Sequence, residues 1–230
     1  MSIYAISDLH LSFNTDKPMN VFGWIDYENR IKEDWKNKVT DNDLVLLPGD
    51  FSWELKLEDT YKDFEFINNL PGKKILLKGN HDYWWGTLNK MREYLKEINM
   101  NNIDFLYNNS YEFEDKIIAG TRGWNIIDES EEDEKIKKRE LIRLELSLND
   151  GITKYGKDKP IIVCMHYPPI VKDNINNEFT NLLGKYNVTK CIYGHLHGKS
   201  QINAVEGNFN NIEYKMVSCD YTNFKIQKIY

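Results

Sequence analysis

The chain has 230 residues, a length at which one α/β domain buries roughly 70 to 75% of the surface of its unfolded chain. With 41% hydrophobic and 29% charged residues, the composition is that of a globular protein and excludes a largely disordered one. The net charge of −6 gives no general attraction to nucleic acid or to an anionic membrane, because both depend on clustered Lys and Arg.

The sequence predicts a cytoplasmic protein. No apolar run approaches the roughly 20 residues of a membrane-spanning helix, and the chain enters a predicted strand at residue 3 without a basic and apolar leader. No repeat, linker or domain boundary is visible, so we expect residues 1–230 to form a single domain. The three cysteines, Cys164, Cys191 and Cys219, lie in stretches typical of buried strands and predict small core residues rather than disulfides.

Short runs rich in Ile, Val and Leu alternate with amphipathic segments along the chain. The runs predict strands at residues 3–7, 44–48, 74–78, 116–120, 161–165, 190–193, 212–218 and 224–229. The amphipathic segments predict helices at residues 27–39, 60–69, 88–98, 131–148 and 178–186.

The order of these elements favours an α/β fold with two mixed sheets. The first half reads strand, loop, helix three times, which indicates parallel crossovers. The C-terminal third has closely spaced strands, with residues 207–208 and 221–223 as turn material, which indicates antiparallel pairing. A sandwich of two mixed sheets with helices outside accommodates both halves.

Polar residues cluster where the predicted strands end. All five histidines of the chain are among them, and chance is a poor explanation for this distribution. Since loops beyond the carboxyl ends of strands form the ligand crevice of an α/β sheet, we expect these side chains to converge. The residues are Asp8, His10, Asp50, Asn80, His81, Asp82, His166, His195 and His197.

The residue types in this set predict an open metal site. Carboxylate oxygen with imidazole nitrogen suits Mn, Fe, Zn or Co, and the absence of cysteine argues against a closed structural zinc site. Two ions about 3.5 to 4 Å apart need a bridging anion, for which Asp50 is the natural candidate. Glycines at positions 49, 79 and 194 are expected to let the backbone bend sharply before each ligand.

The motifs Asp-x-His, Gly-Asp, Gly-Asn-His-Asp, His and Gly-His-x-His, in this order over residues 8–197, resemble those of the calcineurin-like metallophosphoesterases. The resemblance implies a four-layer α/β/β/α sandwich. It also implies two divalent ions. Around one of them it places Asp8, His10, Asp50 and His197. Around the other it places Asp50, Asn80, His166 and His195.

The resemblance further implies hydrolysis of a phosphate ester by in-line attack of a metal-bridging hydroxide on phosphorus. His81 would act as the general acid toward the leaving group, and Asp82 beside it would orient the ring. An ordinary turn carboxylate is the other interpretation of Asp82. The second motif continues as Phe51-Ser52-Trp53, not as the Asp-Arg-Gly of protein phosphatases, which makes protein dephosphorylation a weaker hypothesis.

Other residues near the motifs have two open interpretations. Arg122 could contact a substrate phosphate or form a structural ion pair. Residues 17–24 could cap the site, since the segment is long for a strand-to-helix connection. The acidic stretch 128–134 is best explained as a solvated helix start. A group of aromatic residues could stack on a flat substrate group or, as we favour, pack the loops onto the core: Trp24, Trp53, Tyr83, Trp84, Trp85 and Trp124.

The sequence thus predicts a phosphoesterase acting on a phosphorylated small molecule, with a diester slightly favoured over a monoester. The alternative is a metal-binding regulatory or binding module that keeps the site without turnover, against which the intact His81 argues. A Cys- or Ser-based hydrolase is disfavoured because no nucleophile elbow is present and every histidine is already assigned. The natural substrate, the metal and the oligomeric state stay open.

Overall fold

The secondary structure is given by a computed structural model of the protein, which describes residues 1–15, 17–127 and 130–230. Its strands are β1 (Ile3–Ala5), β2 (Leu44–Pro48), β3 (Lys73–Leu77), β4 (Ile103–Leu106), β5 (Tyr111–Phe113), β6 (Lys116–Thr121), β7 (Ile161–Met165), β8 (Val188–Tyr193), β9 (Gly207–Phe209), β10 (Ile212–Met216) and β11 (Gln227–Lys228). Its α-helices are α1 (Tyr27–Lys38), α2 (Tyr61–Asn68), α3 (Leu88–Glu97), α4 (Glu131–Tyr155) and α5 (Glu178–Leu183). Short 3-10 helices lie at Met19–Phe22, Leu57–Thr60 and Gly198–Asn203.

The strands form two mixed sheets. The first has the order β11-β1-β2-β3-β4, in which β1 to β4 are parallel and β11 is antiparallel to β1. The second has the order β5-β6-β7-β8-β10-β9, with parallel pairing from β6 to β10 and an antiparallel strand at each edge. The predicted α/β fold with two mixed sheets is confirmed, as are the parallel crossovers of the first half.

Three apolar cores separate four layers, because side chains alternate between the two faces of each strand. On β1, Ile3 and Ala5 pack between the sheets, whereas Tyr4 packs toward the helices. One outer core joins the first sheet to residues of α1, α2 and α3, and the other joins the second sheet to residues of α4 and α5. The order helix, sheet, sheet, helix confirms the predicted four-layer sandwich.

The cysteines lie one in each core, buried and free. Cys164 packs between the sheets, Cys191 under α4 and α5, and Cys219 on the helical side of the first sheet. Burial raises the pKa of the Cys164 thiol, so this side chain stays uncharged at neutral pH. The interpretation of the cysteines as small core residues is confirmed.

The structure contains strands that were not predicted, and one predicted strand is much shorter than expected. The short strands β4, β5 and β9 were missed, and residues 207–208, predicted as a turn, belong to β9. The hairpin turn lies instead at Asn210 and Asn211, whose φ angles of 51° and 65° are the left-handed values that tight hairpin turns require. The strand predicted at 224–229 is reduced to β11.

The pairing predicted for the C-terminal third was wrong in part. Strand β10 is parallel to β8, not antiparallel to it. The connection between them spans residues 194–211 and contains both the 3-10 helix Gly198–Asn203 and the edge strand β9, so it is long enough for a crossover. Only the edge strands β9 and β11 pair antiparallel in this part of the chain.

Helix α4 begins as predicted but ends later, at Tyr155. Residues 128 and 129 of the predicted acidic stretch lie outside the described residues. The rest of that stretch forms the first turn of α4, where Ser130 caps the helix by accepting a hydrogen bond from the Asp133 amide.

None of the helices in the described residues combines the length and the apolar composition that a membrane-spanning helix needs.

Small residues let α4 lie close to the second sheet. The Ser147 hydroxyl accepts a hydrogen bond from the Gly120 amide of β6 at 2.9 Å and donates one to the Asn109 carbonyl at 2.6 Å. One turn further, a Cβ atom on Gly151 would lie 2.6 Å from Cγ2 of Ile117. The helix therefore continues through Gly151 because the sheet leaves no room there for a larger residue.

We expect Gly151→Ala to lower the free energy of unfolding by about 1 to 3 kcal/mol, because overpacking outweighs the gain in helix propensity of about 1 kcal/mol. Chemical denaturation measures the change. Gly86→Ala is the control, since a Cβ there meets nothing nearer than 3.7 Å. A Gly151→Ala protein as stable as the parent would contradict the close contact of α4 with β6.

Candidate metal centre

The predicted ligands lie at one edge of the sandwich, beyond the carboxyl ends of five parallel strands. Loops after β1, β2 and β3 come from the first sheet, and loops after β7 and β8 from the second. The two sheets join here, because Ser7 and Ser218 form an isolated parallel bridge and the Cys219 amide donates to the Ser7 carbonyl. The edge is therefore the place where side chains from both sheets can meet.

Several of the predicted ligands have unusual backbone conformations. The φ angles of Asp8, His10, Asp50 and His195 are 61°, 46°, 50° and 73°, in the left-handed region that costs non-glycine residues about 1 to 3 kcal/mol each. Backbone hydrogen bonds hold them, including one from the His10 amide to the Asp50 carbonyl at 3.0 Å. Such strain persists only where the surroundings impose it, and it is concentrated at functional sites.

The glycines before the ligands act in two different ways. Gly49 has a φ of 94° and allows the sharp bend that was predicted. Gly79 and Gly194 are not among the residues with positive φ, so the predicted bend was wrong for them. They provide space instead: a Cβ on Gly79 would overlap Asp50, and one on Gly194 would overlap the Asp8 carboxylate.

One group of possible ligand atoms comes from Asp8, His10 and His197, whose donor atoms lie within 4.8 Å of one another. Nε2 of His197 lies 3.1 Å from Oδ1 of Asp8. Nδ1 of His10 is buried and has no hydrogen-bond partner among the described residues. A buried polar atom without a partner costs about 1 to 3 kcal/mol. The described residues thus leave one nitrogen of the His10 ring without a bonding partner.

A second group comes from Asp8, Asp50 and His166, again within 4.8 Å. Nε2 of His166 lies 3.4 Å from Oδ2 of Asp50 and 2.8 Å from Oδ1 of Asn80. The same Asn80 oxygen lies 2.9 Å from Nδ1 of His195. All seven side chains predicted as ligands are thus brought together at this edge.

The spacing and hydrogen bonding of these atoms fit metal ions. Ligands about 2.1 Å from an ion lie about 3 Å from one another, close to the separations above. Histidine ligands commonly direct their other ring nitrogen to a carbonyl or carboxylate. Nδ1 of His166 lies 3.0 Å from the Pro48 carbonyl, and Nδ1 of His197 lies 2.8 Å from the Asp220 carboxylate.

Asp8 is common to both groups, whereas Asp50 had been predicted as the bridge. Oδ2 of Asp50 still lies between the groups, 3.7 Å from Nε2 of His10 and 3.4 Å from Nε2 of His166. Both carboxylates therefore adjoin both groups of possible ligand atoms. Each is buried, so bulk water screens neither charge.

Three of the imidazoles at this edge are uncharged and can bind a cation. Burial lowers the pKa of His10 and His166 to about 3 and of His195 to about 4, so these rings are neutral at pH 7 and keep a lone pair for a metal. Burial opposes the charge on His197, but Asp8 and Asp220 outweigh it and raise its pKa to about 10. Burial and the charges of Asp82 and Asp8 raise the pKa of Asp50.

Asp82 does not have the predicted role of orienting the His81 ring. It is fully buried, and burial raises its pKa to about 6 although its hydrogen bonds act in the opposite direction. Its carboxylate accepts five N–H bonds of 2.7 to 3.2 Å, from the backbone amides of Asp50, Phe51, Ser52 and Gly79 and from the Trp84 indole. The structure thus supports the other interpretation, a turn carboxylate that binds backbone.

Arg122 is placed as an ion-pair partner rather than a free phosphate ligand. Its side chain is 16% exposed, its guanidinium lies 3.7 Å from the buried Glu140 carboxylate, and it packs over the Trp124 ring. Burial lowers its pKa, against the charge of Glu140. Its backbone carbonyl accepts hydrogen bonds from the amides of His166 and Tyr167. These contacts favour the structural interpretation.

The aromatic residues near the motifs mostly pack the loops. Trp24, Trp84 and Trp85 are buried in the core under the first sheet. Trp53 is half-buried, with its ring centroid 4.7 Å from that of His10 and 4.6 Å from that of His81. The packing interpretation therefore holds for the three buried indoles, and Trp53 contacts the candidate site directly.

Asp220 was not predicted, although it contacts a predicted ligand. Besides His197, its carboxylate accepts hydrogen bonds from the Gly198 amide at 3.2 Å and the Gln201 side chain at 2.8 Å. The available signal was its position two residues beyond the strand predicted at 212–218, the same kind of strand end as the other site residues occupy. It was overlooked because no histidine stands beside it.

The fold and the site together define a two-sheet α/β protein with a possible Asp/His metal-binding site where its sheets meet. The model of the calcineurin-like phosphoesterase family matches residues 1–199, and the chain belongs to that family. Members of this family are phosphohydrolases that normally bind divalent metals. The predicted resemblance is confirmed.

The chain is similar in sequence to a known protein and in fold to solved structures. The uncharacterised protein L509 of Acanthamoeba polyphaga mimivirus is 25% identical over 228 residues, covering 85% of this chain and 75% of that one. The phosphopantetheinyl hydrolase of Mycobacterium tuberculosis has a TM-score of 0.57 at 11% identity, over 99% of this chain and 95% of that one. The protein TT1561 of Thermus thermophilus has a TM-score of 0.58 at 13% identity, over 98% of this chain and 96% of that one.

We expect Asp82→Asn to lower the free energy of unfolding at pH 7 by about 2 to 4 kcal/mol, because the amide nitrogen presents N–H groups to backbone donors. Metal content should fall with it, since the Asp50 loop loses its anchor. Denaturation and elemental analysis measure both effects. Asp41→Asn is the control, because Asp41 is exposed. An Asp82→Asn protein with unchanged stability and impaired turnover would instead support the predicted role of Asp82 in orienting the His81 ring.

We expect Asp220→Asn to weaken Mn²⁺ binding about 10- to 100-fold, because His197 loses the carboxylate that orients its ring. Titration against a competing chelator measures the affinity. Glu206→Gln, which removes a nearby carboxylate that accepts from Tyr221, serves as the control. Equal affinities in the two variants would show that Asp220 does not support the site.

Proposed function

We propose that this protein hydrolyses phosphate esters with two divalent ions, Mn, Fe, Zn or Co, held by the seven residues predicted from the sequence. The observation that carries the proposal is the convergence of imidazoles, three of which are neutral at pH 7, and buried carboxylates at spacings of about 3 Å. Membership of a phosphoesterase family supplies the reaction class and a phosphorylated substrate.

The seven residues would be shared between the two ions. Asp8, His10 and His197 lie on one side, and Asn80, His166 and His195 on the other. Asp50 would contact both, supported by the position of its Oδ2 between His10 and His166. Bound divalent ions in such a site polarise a phosphoryl oxygen and lower the pKa of the attacking water.

The protein itself would contribute a proton donor and fixed geometry. Water adds to phosphorus, the bond from phosphorus to the alcohol oxygen breaks, and that oxygen must take a proton. His81 is suited to donate it, because its half-buried ring lies beside His10, with centroids 5.6 Å apart, yet it is outside both ligand groups. The His81 amide donates to Oδ1 of Asp50 at 2.8 Å, which fixes its backbone relative to the site.

A phosphodiester remains the slightly favoured substrate. Monoesters present a dianionic phosphate, which enzymes commonly bind with an arginine fork. Arg122, the candidate for that contact, lies against Glu140 instead. The likeness to a phosphopantetheinyl hydrolase concerns the fold and assigns no substrate to this chain.

A cytoplasmic location is also part of the proposal. It is supported by the three buried cysteines, whose thiols are free.

We expect the Mn²⁺-loaded protein to release nitrophenol from bis(4-nitrophenyl) phosphate or 4-nitrophenyl phosphate, and EDTA to abolish the activity. His81→Asn should lower kcat by about 10²- to 10⁴-fold and retain both ions, because only a proton donor is lost. His166→Asn is the contrasting variant and should lose metal as well.

Elemental analysis beside the kinetics distinguishes the possible results. Two bound ions without turnover on either ester would favour the alternative, a metal-binding module without catalysis. Loss of both ions from His81→Asn would contradict the role of His81 as a residue outside the ligand set.

A further inference from the structure

A largely apolar cavity of about 410 Å³ opens directly beside the candidate metal centre. Three of the residues that line it, His10, His81 and His197, also belong to the proposed catalytic site. A group bound in this cavity would therefore lie directly beside a phosphate bound at the metals. The size is that of a small-molecule binding pocket.

The opposite wall consists of apolar side chains from the segment predicted as a cap and from the loop after β2. They are Met19, Phe22, Trp24 and Trp53. Met19 and Trp24 are buried and anchor the short 3-10 helix, whereas Phe22 is 70% exposed at the rim. An exposed phenylalanine beside an apolar cavity is a surface that a bound apolar group would cover.

Two polar groups of the cavity, the Asp220 carboxylate and the Trp53 indole, already have partners in the protein. The Asp220 carboxylate accepts hydrogen bonds from His197, Gly198 and Gln201. The indole N–H of Trp53 points to the Met19 sulfur at 3.4 Å. The Trp53 ring packs on His10, and the Lys17 ammonium lies 4.7 Å from its centroid. Because these two groups are engaged and most of the remaining lining is apolar or aromatic, the cavity matches an apolar group better than the hydrogen-bonding edge of a nucleobase.

We propose that this cavity binds the departing alcohol of the substrate, and that this alcohol is an apolar aryl or alkyl group rather than a nucleoside. The proposal rests on the phosphoesterase function above. It follows from the position of His81, which lines the same cavity and would meet the alcohol oxygen as the ester bond breaks. Phe22 then acts as a specificity residue, closing over the apolar part of the substrate.

The kinetic test compares substrates whose leaving alcohols have similar acidity and different apolar size. With Mn²⁺-loaded protein, kcat/KM for methyl 2-naphthyl phosphate should exceed that for methyl phenyl phosphate by about tenfold, from burial of the second ring. For the nucleoside comparison the leaving groups are both primary alkyl alcohols, and methyl 2-(2-naphthyl)ethyl phosphate should be a better substrate than a methyl nucleoside 5′-phosphate. Monoesters of the same alcohols replace the diesters if the enzyme proves to be a monoesterase.

The variant Phe22→Ser should reduce the naphthyl preference to about twofold or less, mainly through KM. Val21→Ser is the matched control, because Val21 is 73% exposed on the same 3-10 helix and lines a neighbouring cavity instead. It should keep the preference. A nucleoside ester cleaved as well as the naphthylethyl ester, or a naphthyl preference that survives Phe22→Ser, would overturn the proposal.

A binding measurement separates this proposal from the catalytic one. Calorimetry on the Mn²⁺-loaded protein should show 2-naphthylmethylphosphonate binding at least tenfold more tightly than methylphosphonate, with the difference lost in Phe22→Ser. That result without turnover of any ester would contradict the phosphoesterase function but not the apolar pocket. Turnover with equal binding of the two phosphonates would contradict the pocket alone.

Discussion

A single buried carboxylate holds the loops from which the candidate site is built. Asp82 has no contact with water, and its oxygens take N–H bonds from the loop after β2 and from the turn after β3. Buried amides without partners would each cost about 1 to 3 kcal/mol, so these two loops cannot separate without leaving several unsatisfied. This interaction places the Asp50 backbone beside Gly79 and Asn80, and the side chains of both loops then face the histidines of the second sheet.

The contacts at this edge also explain why strained backbone is tolerated there. Four of the seven proposed ligands have left-handed φ angles, although none is glycine. Glycine is found instead at positions 79 and 194, where the neighbouring Asp50 and Asp8 leave no space for a Cβ. The packing of two sheets against each other thus imposes a conformation that local preferences oppose. The benefit is that the fold itself holds the candidate ligand atoms in place.

The candidate site has a polar half and an apolar half, which come from different parts of the chain. Strand ends provide the carboxylates and imidazoles, and the segment after His10 provides the apolar wall around Met19 and Phe22. Asp220 contacts both halves, because it hydrogen-bonds to His197 and lines the apolar cavity. It lies beyond residues 1–199, the part of the chain matched by the family model.

The α/β fold, the sequence order of the main strands and the residues that meet at the candidate site could be predicted from the sequence, because residue type and hydrophobic periodicity depend on the chain alone. The motif order of Asp8 through His197 needed no coordinates, and neither did the parallel pairing of β1 to β3. The short edge strands β5 and β9 could not be recognised, since three residues carry too little periodicity and their pairing depends on a distant neighbour.

The tertiary structure decided which atoms each polar residue meets. Asp82 stands next to His81 in the sequence, yet its carboxylate turns to backbone amides 30 to 32 residues away. Arg122 is paired with Glu140, and Asp220 is brought to His197 from a strand end that lacked a histidine. Sequence patterns determine what chemistry a side chain can perform, but its partners depend on how remote segments pack.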